Sequence, residues 1–315
     1  MVTADDIEWF KRQFRIQIEA ALPGTPFDLD MIVAIACQET GYIWAVLRKK
    51  QLSPERVVAL CVGDTIDFQG AGKGRQAFPR DKKALVAYPN GQAMFDIARK
   101  ALEDMAAFIP GYRDVVANKK KFCHGFGVFQ RDLQFFKDDP NYFLERRYET
   151  FANSLASCLD ELRHGAKKLG FESRTRLTDI EFAKVAIAYN TGSYKPAKGL
   201  KQGFFDGKYY GERIFDYLQL SRSVETARAL LAGRYVVTAR GGLKLRGGPG
   251  TNFDSEKTLP AGTELNVIDS NSSDPSSWVH VDLEGDGLLD GYVFASFLAP
   301  LEQHEAGRED APEPA

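Results

Sequence analysis

Apolar residues in the first two thirds of the chain recur at helical spacing. Apolar positions three and four apart predict an amphipathic helix over residues 4–21, and Thr178 with Glu181 forms a capping box that begins a helix ending near Gly192. The same spacing predicts further helices over residues 28–40, 92–108 and 141–169. Residues 62–92 are rich in glycine and proline and are predicted to form a long loop or a small hairpin. This part of the chain is therefore predicted to be mainly α-helical.

The spacing of apolar residues changes at Tyr235. From there, short runs of Val, Leu, Phe and Tyr alternate with Gly, Pro, Asn and Asp, which predicts a small antiparallel β unit. The last residues are acidic and contain proline, a composition typical of disorder. The sequence thus predicts an α+β multidomain protein with a mainly helical domain over 1–222, a short helical linker over 223–232, an all-β domain over 233–300 and a disordered acidic tail over 301–315.

Composition and charge are those of a soluble globular protein. Of 315 residues, 44% are hydrophobic and 27% charged, and the mean hydropathy is -0.31. No run approaches the roughly 18–20 uncharged apolar residues of a spanning helix, and the first residues lack the apolar core of a secretory signal. Residues before Gly233 carry a net charge of +6 and the rest -8. The basic part suits an anionic polymer such as a cell wall, and no nucleic-acid motif accompanies it.

Four cysteines lie in the predicted helical part, at Cys37, Cys61, Cys123 and Cys158. Their spacing matches no zinc pattern, and four are too few for a disulfide scaffold in a chain of this length. Buried free thiols are the favoured interpretation. One disulfide stays open as an alternative if the chain works in an oxidising compartment.

A glutamate interrupts the apolar face of the second predicted helix. Ile32 and Ile35 lie seven and four positions before Glu39, so the three share one face, and Gly41 is expected to end the helix. Partial burial and the negative end of the helix dipole both favour the protonated carboxyl and raise its pKa. Such a carboxyl suits a general acid that protonates a glycosidic oxygen. The alternative is a glutamate at a helix end that points to water or pairs with one of Arg48, Lys49 or Lys50.

Three segments of the helical part resemble one family. Glu39-Thr40-Gly41-Tyr42 resembles the E-S-x-F signature of lysozyme-like soluble lytic transglycosylases and goose-type lysozymes. Gly127-Val128-Phe129-Gln130 is similar to their G-L-M-Q segment, and Ala188-Tyr189-Asn190-Thr191-Gly192 matches their A-Y-N-x-G segment. The order of the three segments is the same, and the resemblance covers roughly residues 25–220. Thr40 and Phe129 depart from the usual serine and methionine.

The resemblance implies a lysozyme-like fold and a role for each matching residue. Glu39 would be the catalytic acid that cleaves the β-1,4 bond between N-acetylmuramic acid and N-acetylglucosamine, with no cofactor and no metal. The residues implied to bind the sugar chain are Tyr42, Gly127, Phe129, Gln130, Tyr189 and Asn190. For Tyr189 and Asn190 an alternative stays open, in which they are a core tyrosine and a residue near the helix C-cap.

A second carboxylate would separate two mechanisms. Inverting hydrolases need one roughly 6.5–9.5 Å from the acid to activate water, whereas transglycosylases use a single acid/base. Asp64 and Asp67, in the turn-rich stretch after the catalytic helix, are the candidates, with Asp81 third. The alternative for each is a turn in which the aspartate accepts a hydrogen bond from its own backbone.

The β unit resembles a bacterial SH3 (SH3b) domain. The segment from Leu243 to Thr251 is close to that family's L-N-L-R-x-G-P-G motif, and Leu259-Pro260-Ala261-Gly262-Thr263, Trp278-Val279-His280-Val281 and Gly291-Tyr292-Val293 follow in the family's order. Such modules often bind peptidoglycan peptides. The alternative is a β domain that only positions or regulates the catalytic domain.

Alternating acidic residues near the end of the β unit resemble the front of a calcium loop. They run from Asp282 to Asp290, with Gly287 at the turn, but Val293 occupies the place of the closing glutamate. A Gly/Asp-rich hairpin tip accounts for the same residues without metal, and we predict no metal site.

The sequence therefore predicts a two-domain peptidoglycan glycosidase, either a muramidase or a lytic transglycosylase, that degrades bacterial cell walls. The expected partners are peptidoglycan glycan strands and, for the SH3b domain, wall peptides, with no nucleic acid, no membrane span and a monomeric chain. Synthesis in the cytoplasm is expected, followed by action on the wall after holin-type release, as for an endolysin, or after specialised secretion as an effector. Two alternatives stay open: a non-catalytic wall-binding protein, and a related chitin-cleaving glycosidase.

Overall fold

A computed structural model describes residues 2–50, 52–205, 207–224, 233–251, 253–270 and 278–301. The chain divides into two compact units, Met1–Val224 and Glu225–Ala315. The predicted linker lies outside the described residues from position 225, and the predicted acidic tail from position 302.

The described part of the first unit is mainly helical. Its α-helices are α1 (Ala4–Ala21), α2 (Leu29–Arg48), α3 (Pro54–Ala59), α4 (Lys82–Val86), α5 (Gly91–Ala106), α6 (Arg113–Ala117), α7 (Pro140–Leu144), α8 (Phe151–Lys168), α9 (Asp179–Thr191) and α10 (Tyr210–Ser223). Short 3₁₀ helices lie at Pro110–Tyr112, Leu133–Lys137, Arg147–Glu149 and Pro196–Lys198. Its short strands are β1 (Val62–Gly63), β2 (Phe68–Gly70), β3 (Lys73–Gly74), β4 (Gly125–Phe126), β5 (Arg131–Asp132), β6 (Phe204–Phe205) and β7 (Lys208–Tyr209).

Several predicted helices are confirmed. Helix α1 spans the predicted residues, and α5 begins one residue before the prediction. The capping box of Thr178 and Glu181 is present at the start of α9, which ends at Gly192 in the left-handed conformation. The helix predicted over 141–169 is two helices, α7 and α8, because Arg146 between them adopts a positive φ of 53° that no α-helix can contain.

Helix α2 is the centre of the first unit. It packs against α1 and α10, and most of its side chains are buried. Trp44 is fully buried and lies 5.0 Å from Phe10, ring centre to ring centre. The ammonium group of Lys11 on α1 forms a 2.7 Å ion pair with Asp30 on α2 and donates to the carbonyl of Ser221 on α10. These contacts tie the three helices together at both apolar and charged positions.

The expected end of α2 at Gly41 is wrong. The helix continues to Arg48, since Ile43, Trp44 and Leu47 extend its buried face beyond the glycine. A Cβ at position 41 would lie 2.4 Å from Cγ2 of Val2, so the glycine permits close approach of the N-terminal segment. Glu39 therefore lies within the helix and not at its end. The expected contribution of the helix dipole to the raised pKa of Glu39 is absent.

One small antiparallel sheet places loop residues beside α2. Strand β4 pairs with both β1 and β5, and Gly125 stands opposite Gly63 on one side and Asp132 on the other. Within the predicted loop over 62–92, β2 and β3 form a hairpin, and α4 follows it. The sheet brings the segment after β1 next to the turn between β4 and β5.

The described part of the second unit is a seven-stranded antiparallel sheet in the order β10-β9-β13-β12-β11-β8-β14. Its strands are β8 (Gly233–Val237), β9 (Leu243–Arg246), β10 (Ser255–Leu259), β11 (Glu264–Ser270), β12 (Trp278–Asp282), β13 (Gly291–Phe294) and β14 (Leu298–Pro300). Alternate residues point inward and form a separate apolar core that includes Leu245, Leu265, Val279, Val281 and Val293.

The acidic hairpin after β12 is closed by its own backbone. The carboxylate of Asp282 accepts hydrogen bonds from the N–H groups of Gly285 at 2.6 Å and Gly287 at 2.9 Å, and Asp290 accepts one from Leu283 at 2.6 Å. Carboxylate oxygens of Asp282, Glu284 and Asp290 lie within 4.8 Å of one another. These hydrogen bonds show that Asp282 and Asp290 stabilise the turn of the hairpin, which is the interpretation without metal.

Among the described residues one helix, α2, is long and apolar enough to cross a bilayer. In its most apolar stretch 72% of the residues are buried inside the unit, as in the core helix of a folded domain. Length and composition alone are therefore weak evidence for a membrane span.

Candidate active site

Glu39 lies on α2 with its side chain half-buried at the wall of a cleft. Burial raises the pKa of its carboxyl to about 7, and a hydrogen bond from the hydroxyl of Tyr210 opposes that rise. The hydroxyl donates to Oε1 at 2.7 Å. A carboxyl that holds its proton near neutral pH can act as a general acid, and the hydrogen bond fixes which oxygen is free to do so.

Tyr210 is a site residue that the sequence did not predict. It is the first residue of α10 and is only 5% exposed. Its backbone N–H donates to the carbonyls of Gln202 and Gly203, both at 3.0 Å. Burial and the neighbouring Glu39 raise the pKa of its hydroxyl, so it stays a hydrogen-bond donor. Because 171 positions separate it from Glu39, only the contact between α10 and α2 reveals the pair.

A cleft of about 750 Å³ opens beside Glu39. It collects six of the nine predicted site residues: Glu39, Tyr42, Asp64, Gln130, Tyr189 and Asn190. Carboxyl, phenol and amide groups thus converge on one concavity, and they offer the donors and acceptors that a polyhydroxylated ligand requires. Among the described residues of the first unit, no three His, Cys, Asp or Glu ligand atoms lie within 4.8 Å of one another.

Asp64 occupies the loop after β1 and faces the cleft. Its φ of 44° is left-handed, and its carbonyl accepts a 2.7 Å hydrogen bond from the backbone N–H of His124. The carboxylate also accepts a hydrogen bond from the N–H of Ile66 at 3.1 Å. Partial burial by the surrounding protein raises the pKa of this carboxyl, although 40% of the side chain is exposed. The positive charge of Arg75 lowers the pKa. Both expected roles, turn formation and presentation to the cleft, are therefore combined in one residue.

Arg75 is the second site residue that the sequence did not predict. Its guanidinium donates two hydrogen bonds to the carboxylate of Asp132, at 2.6 and 2.8 Å, and lies 3.4 Å from Asp64. It also donates to the carbonyls of Phe78 at 2.8 Å and Pro79 at 2.9 Å. This buried fork joins the loop that carries Asp64 to strand β5, and a bidentate pair of this kind fixes direction as well as distance.

Asp67 and Asp81 do not lie in the cleft lining. Asp67 forms a 2.8 Å ion pair with Lys121, and its Oδ1 lies 3.9 Å from Nε2 of the buried His124. Asp81 caps α4 by accepting a hydrogen bond from the N–H of Ala84 at 2.8 Å. Asp67 is therefore placed in an ion pair away from the cleft lining, and its catalytic role stays a prediction, while cap chemistry accounts for Asp81.

The turn between β4 and β5 presents Gln130 and buries its neighbours. Gln130 has a φ of 53° and lines the cleft, and its amide donates to the carbonyl of Gly127 at 3.0 Å. Phe129 is 1% exposed in the core, and Gly127 is buried with a φ of 78°. A Cβ at Gly127 would lie 2.5 Å from Oγ of Ser154. Neither Phe129 nor Gly127 lines the cleft, and both residues shape the turn from the buried side.

Thr40 and Tyr189 hold that turn against the helices. The hydroxyl of Thr40, beside Glu39 on α2, donates to the carbonyl of Val128 at 2.6 Å. The hydroxyl of Tyr189 on α9 donates to the carbonyl of Phe129, and burial together with the nearby Glu39 raises the pKa of this hydroxyl. The departure from serine to threonine at position 40 thus keeps a hydroxyl that positions the turn.

Tyr42 and Asn190 form outer parts of the cleft. The ring of Tyr42 stacks on the ring of Tyr112, and the two hydroxyls form a hydrogen bond. Tyr42 is nevertheless 47% exposed. Asn190 is exposed at the last turn of α9. Both are placed to contact a ligand, in contrast to the buried glycine and phenylalanine of the turn.

A family comparison identifies the second unit. Residues 241–299 match the family model for the bacterial SH3 domain, which confirms the prediction made from the L-K-L-R-G-G-P-G segment. Domains of this family bind cell-wall peptidoglycan and are typical of peptidoglycan-associated proteins. No curated protein and no solved structure gives a significant match to the chain. The lysozyme-like resemblance of the first unit stays a prediction.

Proposed function

We propose that the first unit is a peptidoglycan glycosidase that cleaves the β-1,4 bond between N-acetylmuramic acid and N-acetylglucosamine. One observation carries the proposal: Glu39, with a carboxyl pKa of about 7, lies at the wall of a cleft lined by amide and phenol groups. A glycosidic oxygen is a poor leaving group until it is protonated, so a carboxyl that keeps its proton near neutral pH is the group that this reaction requires.

In the proposed reaction Glu39 gives its proton to the bridging oxygen as the bond from that oxygen to the sugar carbon breaks. Tyr210 keeps the acid oriented by donating to one of its oxygens. Positive charge develops on the sugar ring as the bond breaks. Glu39 is then a carboxylate, and it must take up a proton again before the next turnover. No cofactor takes part in any of these steps.

We propose water as the attacking group, with Asp64 as the base. Asp64 lines the same cleft as Glu39 and is held by Arg75 and by the backbone of His124. Water would lose a proton to Asp64 while its oxygen bonds to the sugar carbon, giving a product with a free reducing end. The alternative nucleophile is the 6-hydroxyl of the muramic acid itself, which yields a 1,6-anhydro end and needs no second carboxylate.

The bacterial SH3 domain would supply binding to the wall. Association of a catalytic unit and a binding unit on one chain raises the local concentration of glycan strands at the cleft. The proposed partner of the second unit is therefore the peptide portion of the same polymer whose glycan the first unit cleaves.

The test is mass spectrometry of purified peptidoglycan after digestion by the wild-type chain and by Glu39→Gln. Glu172→Gln is the matched control, since Glu172 is an exposed residue outside the cleft lining. We expect muropeptides with reducing ends from the wild type and the control, and at least about a hundredfold less product from Glu39→Gln.

Each other outcome assigns a different function. Products with 1,6-anhydro ends would replace water by the 6-hydroxyl and remove Asp64 from the mechanism. Cleavage of chitin oligomers in place of peptidoglycan would identify a chitinase. Intact peptidoglycan from several wall types after incubation with the wild type would refute the enzymatic proposal and leave a wall-binding protein.

A further inference from the structure

Two neighbouring phenylalanines are exposed beside the candidate cleft. Phe204 and Phe205 form strand β6 and are 64% and 68% exposed. Burial of such side chains stabilises a folded protein, and this pair forgoes that contribution. The ring of Phe204 packs edge-on against Tyr209 of β7, 5.0 Å between centroids. Contiguous exposed apolar surface is a feature of ligand-binding grooves and other interaction sites.

The hairpin that carries the two rings is anchored on both sides. Before it, the amide of Gln202, 7% exposed, donates to the carbonyls of Lys195 at 3.0 Å and Gly199 at 2.7 Å. After it, α10 holds the hairpin, because the guanidinium of Arg213 donates to the carbonyl of Phe205. The position of the two rings is thus fixed relative to α10. The first residue of that helix, Tyr210, donates a hydrogen bond to Glu39.

A groove of about 280 Å³ joins these rings to the surroundings of the acid. Gln38, Asn190 and Tyr210 line it together with the two phenylalanines. Asn190 also lines the main cleft, Gln38 precedes Glu39 on α2, and Tyr210 donates to Glu39. The groove and the candidate cleft therefore adjoin at Asn190, which lines both.

We propose that this groove is a further saccharide subsite, which binds one N-acetylated sugar ring of the strand that is cleaved at Glu39. The proposal rests on the proposed glycosidase function and extends it. A pyranose ring has an apolar C–H face that fits an aromatic surface, and its hydroxyl and acetamido groups match the amides of Gln38 and Asn190. The groove volume of about 280 Å³ is just below the roughly 300–1,000 Å³ of sites that hold drug-sized ligands, so it suits a single sugar ring.

The test measures binding apart from cleavage. Glu39→Gln serves as the parent, and calorimetric titration with peptide-free glycan oligomers of increasing length gives the dissociation constants. Phe204→Ala/Phe205→Ala in that parent is expected to weaken binding of the longest oligomers about tenfold, with a smaller effect on the shortest. Phe68→Ala is the control, because Phe68 is an exposed phenylalanine of the hairpin β2–β3 that lines neither cavity.

The results separate this proposal from the glycosidase proposal. Equal affinities of the double variant and its parent within twofold, or the absence of binding by the parent, would overturn the subsite. A loss of affinity in the double variant together with intact peptidoglycan in the digestion assay would keep the subsite and refute the cleavage reaction. If the double variant melts below its parent, Phe205→Ala alone, which removes the more exposed ring, repeats the comparison.

Discussion

Replacement of Glu39 by glutamine is expected to stabilise the first unit in a pH-dependent way. The carboxyl has a pKa of about 7 in the folded chain against an ordinary value of 4.5. Below about pH 4.5 both states hold the proton and the substitution changes little. Between about pH 4.5 and 7 the unfolded chain releases a proton that the folded chain keeps, so the wild type loses stability as the pH rises. Glutamine does not titrate, and its carbonyl oxygen still accepts the hydrogen bond from Tyr210.

The size of the effect follows from the two pKa values. At about 1.4 kcal/mol per pKa unit, the rise from 4.5 to about 7 corresponds to roughly 3 kcal/mol at full development. Glu39→Gln should therefore unfold with a free energy about 3 kcal/mol higher than the wild type near pH 8, and equal to it near pH 4. Every other titrating group is common to both chains, so the difference isolates Glu39.

Urea unfolding at a series of pH values measures this difference. Tryptophan fluorescence suits it, because Trp9 and Trp44 stack in the first unit, while Trp278 is the third and last tryptophan of the chain. A difference between the two proteins that stays constant within about 0.5 kcal/mol from pH 4 to pH 9 would refute the reasoning. It would show an ordinary carboxyl at Glu39, and the argument for a general acid would fail with it.

Three further substitutions test the surroundings of the acid. Tyr210→Phe removes the hydrogen bond that lowers the pKa of Glu39, so an NMR titration of that carboxyl should move to higher pH, and the alkaline limb of any cleavage activity should move with it. Arg75→Lys loses the bidentate fork to Asp132 and should lower the free energy of unfolding by about 2–3 kcal/mol in urea titrations. Gly127→Ala combines a positive φ with a close contact and should cost about 2–4 kcal/mol by the same measurement.

Matched controls exist for each of the three. Tyr217→Phe, on the same helix α10, should leave the titration of Glu39 unchanged, and a shift of equal size would show that the hydrogen bond is not the cause. Arg163→Lys changes an exposed ion pair and should cost little; a cost equal to that of Arg75→Lys would remove the role of the fork. Gly170→Ala meets nothing within 4 Å at a similar φ of 73°, so it measures the backbone cost alone. Gly127→Ala must exceed it for the packing argument to hold.

Periodicity and capping predict the elements well where one face of a helix decides burial. The apolar stripe of α1 and the capping box of α9 are local signals, and both helices appear where predicted. Gly41 is different, because a glycine after a helical stripe is typical of a C-cap. What decides its place is contact with Val2, a neighbour that the spacing within α2 does not reveal.

The residues of the candidate site also fall into two groups, those that local sequence patterns indicate and those that only long-range contacts reveal. Glu39, Asp64, Gln130 and Asn190 belong to short motifs or turns, and local reasoning identifies them as cleft residues. Tyr210 and the fork of Arg75 and Asp132 act across 171 and 57 positions, and no local pattern indicates such partners. Phe129 shows a further limit of local reasoning, because a motif does not reveal that its side chain lies in the core while its carbonyl accepts the hydrogen bond from Tyr189.

The buried cysteines give the first unit a set of built-in chemical reporters. Cys37 on α2, Cys61 before β1, Cys123 before β4 and Cys158 on α8 are free and at most 2% exposed. Burial raises the pKa of each thiol, so reactive thiolate forms only when the surrounding helices separate. The rate at which an alkylating reagent modifies each cysteine therefore reports how often that part of the interior opens, from four positions and without an introduced label.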